Sequence, residues 1–262
     1  MQFAPFPRRL LGLIALCILC AGSLHAQLQV RVACVGDSIT EGNANPDWEL
    51  NSWPQILQRL LDSHAPGAFE VGNFGRSGAT LMDAGRKPYR QQDVYGKGLA
   101  FLPHKVIINL GTNDATDASW TGDVADFERD LRGLIAEYRA LESAPEIWLS
   151  RLTPMFAPHP RLEECKPRRV QIEACIDGVA NELGLPVLDW NTPLLGERRL
   201  FPDGLHPNTA GNEIMARAVM EAWFGVEDAR DPSLRPRGLT FDPEKAAHIV
   251  RAGKMERGAG TD

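Results

Sequence analysis

The stretch "VACVGDSITEG", residues 32–42, decides how the chain is read. Its apolar half, Val32 to Val35, has the character of a buried strand, and it stops at a polar turn carrying Asp37, Ser38 and Thr40 between Gly36 and Gly42. A chain that leaves a buried strand and at once presents a serine sets a hydroxyl at a strand end. Cys34, inside the apolar half, reads as core rather than nucleophile.

Working outward, the same kind of run recurs. "QVRVACV" (29–35), "FEVGNF" (69–74), "KVIINL" (105–110), "EIWLS" (146–150) and "PVLDW" (186–190) are short, and most are rich in β-branched or aromatic residues. Between them lie segments of helical period. Trp53, Ile56, Leu57, Leu60 and Leu61 mark one, and Phe127, Leu131, Leu134, Ile135 and Tyr138 a second. Val170, Cys175, Ile176, Val179 and Leu183 mark a third, and Ile214, Met215, Ala218 and Val219 a fourth. This alternation predicts an α/β fold, a parallel sheet covered by helices on both faces. Ligands of such sheets bind outside the carboxyl ends of the strands, so the informative residues are those that follow each run.

The ends of the chain read differently. Arg8 and Arg9 precede the apolar "LLGLIALCILCAG", and Ala26 closes "SLHA", the pattern of a secretory signal peptide over residues 1–26. A retained anchor fits less well because the apolar stretch is short, and a lipid anchor on Cys17 or Cys20 is disfavoured by Leu16 and Leu19 before them. The expected domain runs from 27 to 225. In the tail, 226–262, Asp242, Pro243 and Gly253 bracket an expected short helix. Without the leader the formal charge falls from -6 to -8, which disfavours nucleic acid and anionic lipid as partners. Export makes a Cys165–Cys175 disulfide allowable, and no Cys-x-x-Cys metal spacing occurs.

Four polar clusters follow the strands: "GDSIT" with Ser38, "NFGRSGAT" with Gly78, "GTNDA" with Asn113 and "FPDGLHPN" with Asp203 and His206. Alone, each has an ordinary explanation as a cap, a turn or a loop. Together, in this order, they supply a serine hydrolase. A serine hydroxyl needs a base, and a histidine oriented by a carboxylate serves; a three-residue offset lets one tight turn hold Asp203 against His206. The N–H groups of Ser38 and Gly78 and the Asn113 amide can converge on an oxyanion. Ser77 in "GRSGA" misses the G-x-S-x-G pattern at Ala79 and is expected to shape the loop. His64, His104, His159 and His248 have no carboxylate at comparable spacing.

The blocks "GDSIT", "SGAT", "GTND" and "DGLH" resemble those of the SGNH hydrolases, the GDSL family of esterases and lipases, over residues 29 to about 224. Ile39 stands where the family name expects leucine. The resemblance implies a flavodoxin-like three-layer α/β/α sandwich with a five-stranded parallel sheet, Ser38 as nucleophile, His206 as base and Asp203 as its orienter. It implies an oxyanion hole of Ser38, Gly78 and Asn113, and no metal or cofactor. "NFGRSGATL", "KPY" and "INLGTNDA" are further similar to secreted sialate and polysaccharide O-acetylesterases. Trp48, Asn51 and Trp53, with Arg86, Tyr89, Arg90 and Tyr95, offer aromatic faces and polar groups suited to sugars, although the helical spacing of Trp53 favours core and the alternative for the Tyr and Arg residues is solvated surface. The expectation is a secreted or periplasmic carbohydrate O-acetylesterase, acting on a small-molecule or polysaccharide ester, with no stable membrane anchor. A lysophospholipase or arylesterase is the alternative within the family, and a non-catalytic carbohydrate-binding module the alternative outside it.

Overall fold

The computed structural model describes residues 29–225. The leader, the expected tail helix and His248 lie outside them. Strand β1 (Val30–Gly36) is hydrogen-bonded on both sides, to β2 (Phe69–Gly75) and β3 (Lys105–Asn109). Beyond β3 come β4 (Glu146–Ser150) and β5 (Val187–Leu188), giving a five-stranded sheet in the order β2-β1-β3-β4-β5 with every pair parallel. The chain moves from β1 to one neighbour and then crosses to the other, so a crevice opens at the carboxyl ends of β1 and β3.

Side chains alternate along β1, and the sheet therefore feeds two cores. Ala33 and Val35 join Val106, Ile108, Ile147 and Leu149 in one, and Val32, Cys34 and Ile107 share the other. The first is covered by α4 (Asp93–Ala100), α5 (Val124–Arg139) and α6 (Leu162–Leu183). The second is covered by α3 (Trp53–His64) and α7 (Thr209–Phe224). Two short helices, α1 (Ser38–Glu41) and α2 (Trp48–Asn51), lie between β1 and α3. The expected three-layer α/β/α sandwich is thus the fold observed. At the lower pole of the sheet, where the strands begin, Phe224 at the end of α7 packs on Phe69 with ring centres 6.2 Å apart, and Phe69 pairs in register with Val30.

Three expectations need correction. The fifth strand is two residues long because Asp189 turns the chain: its Oδ1 accepts the N–H groups of Asn191 and Thr192, both at 3.0 Å. Helix α6 buries Cys165, Arg169, Ile172, Ile176 and Val179, leaving Val170 65% exposed. The buried stripe is shifted because it includes an arginine, whose guanidinium donates to the Thr153 carbonyl. Cys165 and Cys175 are free and share α6 ten residues apart. At ~1.5 Å rise per residue they stand about 15 Å apart, beyond the ~7 Å Cα limit of a disulfide.

Candidate active site

β1 runs into α1 with only Asp37 between them. Asp37 is the cap, its Oδ1 accepting the Ile39 N–H at 2.9 Å, which leaves the Ser38 hydroxyl free of that task. Ser38 Oγ lies 2.8 Å from His206 Nε2, although the residue is only 4% exposed.

His206 arrives on the loop before α7. Asp203 Oδ1 accepts the N–H groups of Leu205 (2.9 Å) and His206 (2.8 Å), and its Oδ2 lies 2.5 Å from His206 Nδ1. One carboxylate thereby closes the turn and orients the imidazole, with Nδ1 as donor and Nε2 as acceptor toward Ser38. Gly204 sits at φ +85, where a side chain would run into the Phe156 carbonyl oxygen. The Phe156 N–H donates to Gly204 O at 2.7 Å, so the β4–α6 connection props this turn. Partial burial pushes the Asp203 carboxyl upward, but the His206 side chain and the His206 and Leu205 N–H groups outweigh it and bring its pKa to about 2.

The second and third strands deliver the remaining groups. Gly78 adopts φ +76, a conformation that favours glycine. Among the described residues neither the Ser38 nor the Gly78 N–H donates to a protein acceptor. Asn113 Nδ2 lies 3.0 Å from Ala79 O and 3.4 Å from Asp37 Oδ2, between the residue after Gly78 and the residue before Ser38. The five residues singled out from the sequence therefore gather at one place, the crevice above β1 and β3. Of the three expected oxyanion donors the Asn113 amide is the one that already has protein acceptors among the described residues, and its contact to Asp37 is the longer of the two.

Sequence reading missed two supports, Asp114 and Asn45. Asp114, fully buried, accepts the N–H groups of Leu81 (3.0 Å) and Met82 (2.8 Å) and thereby anchors the loop that carries Gly78. Burial pushes its carboxyl up to about 7 against those two hydrogen bonds, and burial likewise raises Asp37 to about 6 against the Ile39 N–H and the nearby His206 and Arg169. Asn45 links the serine's loop to the histidine's: its Nδ2 donates to Pro207 O at 3.3 Å, and Thr209 Oγ1 donates to its Oδ1 at 3.0 Å. Asp114 and Asn45 act on groups far away in sequence, mostly backbone, which no spacing rule reveals. Among the described residues no cluster of three or more His, Cys, Asp or Glu is placed to hold a metal ion.

The suggested sugar-facing residues divide. Trp53 is buried against Trp190, ring centres 4.8 Å apart, and Tyr89 is buried with its hydroxyl donating to Phe74 O at 2.8 Å. Arg90 is spent on Asp83 and Glu137, and Tyr95 donates to Glu137 Oε2 at 3.0 Å. These four belong to packing and ion pairing. Trp48, 45% exposed on α2, and Arg86 remain at the surface, with Asn51 half-buried. Ser77 shapes its loop as expected: its N–H donates to Glu41 Oε2 (2.7 Å) and its Oγ accepts from Asn43 Nδ2 (3.0 Å). His104 Nδ1 accepts the Arg31 N–H at 2.9 Å, and His64 stacks on Phe224. His159 lies against the Asp203–His206 turn, where a Cβ on Gly204 would meet its own Cβ at 3.1 Å.

Comparison with known proteins bears on this geometry. Residues 34–214 match the model of the GDSL-like lipase/acylhydrolase family. An acetylxylan esterase of Xylanibacter ruminicola is 30% identical over 211 residues, which are 74% of this chain but 43% of that protein. The chain thus spans less than half the length of that relative. Among solved structures, a GDSL-like lipase from Bacteroides thetaiotaomicron superposes with a TM-score of 0.56 at 19% identity, over 80% of this chain and 95% of the other. A two-domain esterase active on acetylated mannans superposes with a TM-score of 0.54 at 21% identity, over 86% of this chain and 57% of the other. The matched segment runs from β1 into α7 and includes all five gathered residues; the chain belongs to the GDSL-like lipase/acylhydrolase family.

Proposed function

We propose that the chain is an exported serine esterase that removes O-acetyl groups from carbohydrates through an acyl-enzyme. The observation that carries the mechanism is the connected chain from Asp203 Oδ2 through the imidazole to Ser38 Oγ, 2.5 Å and 2.8 Å long. In the proposed reaction His206 Nε2 takes the Ser38 proton as Oγ attacks the acetyl carbonyl carbon. The N–H groups of Ser38 and Gly78, joined by Asn113 Nδ2, receive the oxyanion. His206 then returns the proton to the departing sugar hydroxyl, and a water activated by the same imidazole releases acetate. Asp203, held ionised by its pKa of about 2, stabilises the imidazolium in both halves.

Carbohydrate as the alcohol is supported by the two relatives named for acetylxylan and acetylated mannans, and by Trp48 presenting an indole beside the nucleophile's loop. An exported enzyme meets such polymers, which fits the leader expected in residues 1–26; no helix among the described residues is long and apolar enough to cross a membrane. The test is acetate release from acetylated xylan, acetylated mannan and acetylated monosaccharides, beside a series of aryl esters of rising chain length. Wild-type protein is expected to release acetate from at least one carbohydrate, and Ser38→Ala to lose at least a thousandfold in kcat. Undiminished hydrolysis by Ser38→Ala sinks the mechanism, and activity confined to long-chain or aryl esters sinks the carbohydrate assignment.

A further inference from the structure

Lys87 lies in the loop that carries Gly78, and the loop's own backbone brings it back beneath that glycine. The Thr80 N–H donates to Lys87 O at 2.9 Å and the Tyr89 N–H to Thr80 O at 2.8 Å. The lysine stem then crosses Gly78, its Cδ 3.7 Å from where a Gly78 Cβ would stand, and Nζ donates to the Ser77 carbonyl oxygen at 2.7 Å. That carbonyl belongs to the same peptide unit as the Gly78 N–H. In a trans peptide the C=O and N–H point in opposite directions, so a cation bound to the oxygen fixes the direction of the hydrogen. It also draws electron density toward the oxygen, which strengthens the N–H as a donor. The other two groups of Ser77 are held by Glu41 and Asn43, so Lys87 completes a three-point grip on the residue before Gly78.

We propose that Lys87 is a positioning residue that aims and polarises the Gly78 N–H toward the oxyanion. The proposal rests on the reading of Gly78 as an oxyanion donor. A charge acting through one peptide unit supports the transition state rather than the bound ester, so its loss lowers kcat and leaves KM nearly unchanged. The effect is smaller than the hundred- to thousandfold that follows removal of a donor itself; about tenfold is expected.

The experiment compares Lys87→Met, which keeps the stem, Lys87→Gln, which keeps a neutral donor, and Lys87→Arg, which keeps the charge. Each is assayed for kcat and KM on an aryl acetate, for affinity toward an alkylboronic acid that adds to Ser38 as an oxyanion mimic, and for the chemical shift of the Gly78 amide. Expected are a kcat about tenfold down in Lys87→Met with KM within twofold, an equal loss of boronate affinity and an upfield Gly78 amide proton. Lys87→Gln should fall between, and Lys87→Arg should recover most of the loss. A Lys87→Met kcat within twofold of wild type overturns the proposal. So does a fall in kcat that leaves boronate affinity and the Gly78 resonance in place. Ser38→Ala assayed alongside separates the two levels: if it retains hydrolysis, the underlying mechanism has failed rather than the role of Lys87.

Discussion

Asp203 has two duties and two oxygens to meet them. Oδ1 is committed to the N–H groups of Leu205 and His206, and Oδ2 alone faces the imidazole. Asn at this position has one oxygen for both tasks. If that oxygen stays with the two backbone N–H groups, the amide NH2 faces Nδ1 and drives the ring proton to Nε2, where it cannot accept from Ser38. Asp203→Asn is therefore expected to lower kcat by about 10⁴-fold with KM within a few-fold, measured by steady-state hydrolysis of an aryl acetate. A loss under tenfold would remove Asp203 from the proposed role. The same residue was legible in the sequence because turn and triad share a three-residue offset. Asp114, which anchors the Gly78 loop from beyond β3, across β1 from β2, was not, since its partners are the backbone of Leu81 and Met82 and carry no side-chain signature.

At the level of elements, the position of α1 depends on the close approach of β2 at Gly75. An added Cβ on Gly75, the last residue of β2, would stand 2.7 Å from Glu41 Cα and from the Thr40 carbonyl carbon, all backbone of α1. No side chain there can swing aside, so the helix bearing Ser38 must move. Gly75→Ala is expected to cost about 1–3 kcal/mol in urea unfolding and about a hundredfold in kcat, because a shift near 1 Å misaligns the nucleophile. Gly178→Ala, in α6 with nothing within 4 Å of the added methyl, is the control: equal activity and stability raised by about 0.5–1 kcal/mol. If Gly75→Ala matches wild type in both measurements, this coupling between β2 and α1 is wrong. The five strands and the helices α3, α5, α6 and α7 were readable from apolar runs and helical period, whereas α1, α2 and α4 were not marked, and β1 to β4 came within a residue or so of their limits. The misreadings share one cause. Hydropathy places Val170 inside and Arg169 outside, whereas the folded chain finds a carbonyl partner for the guanidinium and turns α6 accordingly. Tyr89 was misread in the opposite sense, as a ligand-facing aromatic, whereas Trp53 is buried as its helical spacing favoured; a polar tip on an aromatic ring is as easily satisfied by Phe74 or Thr40 inside the fold as by a sugar.

For the whole molecule, buried carboxyls give stability a characteristic dependence on pH. Asp37 and Asp114 have pKa values raised to about 6 and about 7, against about 3.9 for an unfolded aspartate. Between those limits the folded state binds more protons than the unfolded state, so their contribution falls as pH rises from about 4 to about 7. Asp203 has the opposite sign in a lower window: its pKa of about 2 contributes stability above about 3.9 that is lost as pH falls toward 2. Urea midpoints measured across pH 4 to 8 in an Asp114→Asn protein should show a shallower decline than wild type, together with a lower midpoint at pH 5 from the mispaired Leu81 or Met82 N–H. Parallel curves for the two proteins would show that Asp114 does not titrate in this range.

The contact of Phe224 with Phe69, whose partner in register is Val30, brings both ends of the described domain to the pole where the strands begin. Ser38 lies at the other pole, beyond the seven residues of β1, a span of about 23 Å at ~3.3 Å per residue. Entry and exit of the chain thus share one face, and the proposed ester site lies on the other. The unit has the layout of a cassette: a further domain fused before β1 or after α7 would be tethered on the side away from Ser38. Such an arrangement suits an esterase that is carried inside longer polypeptides, as it is in a relative of which this chain matches 43%.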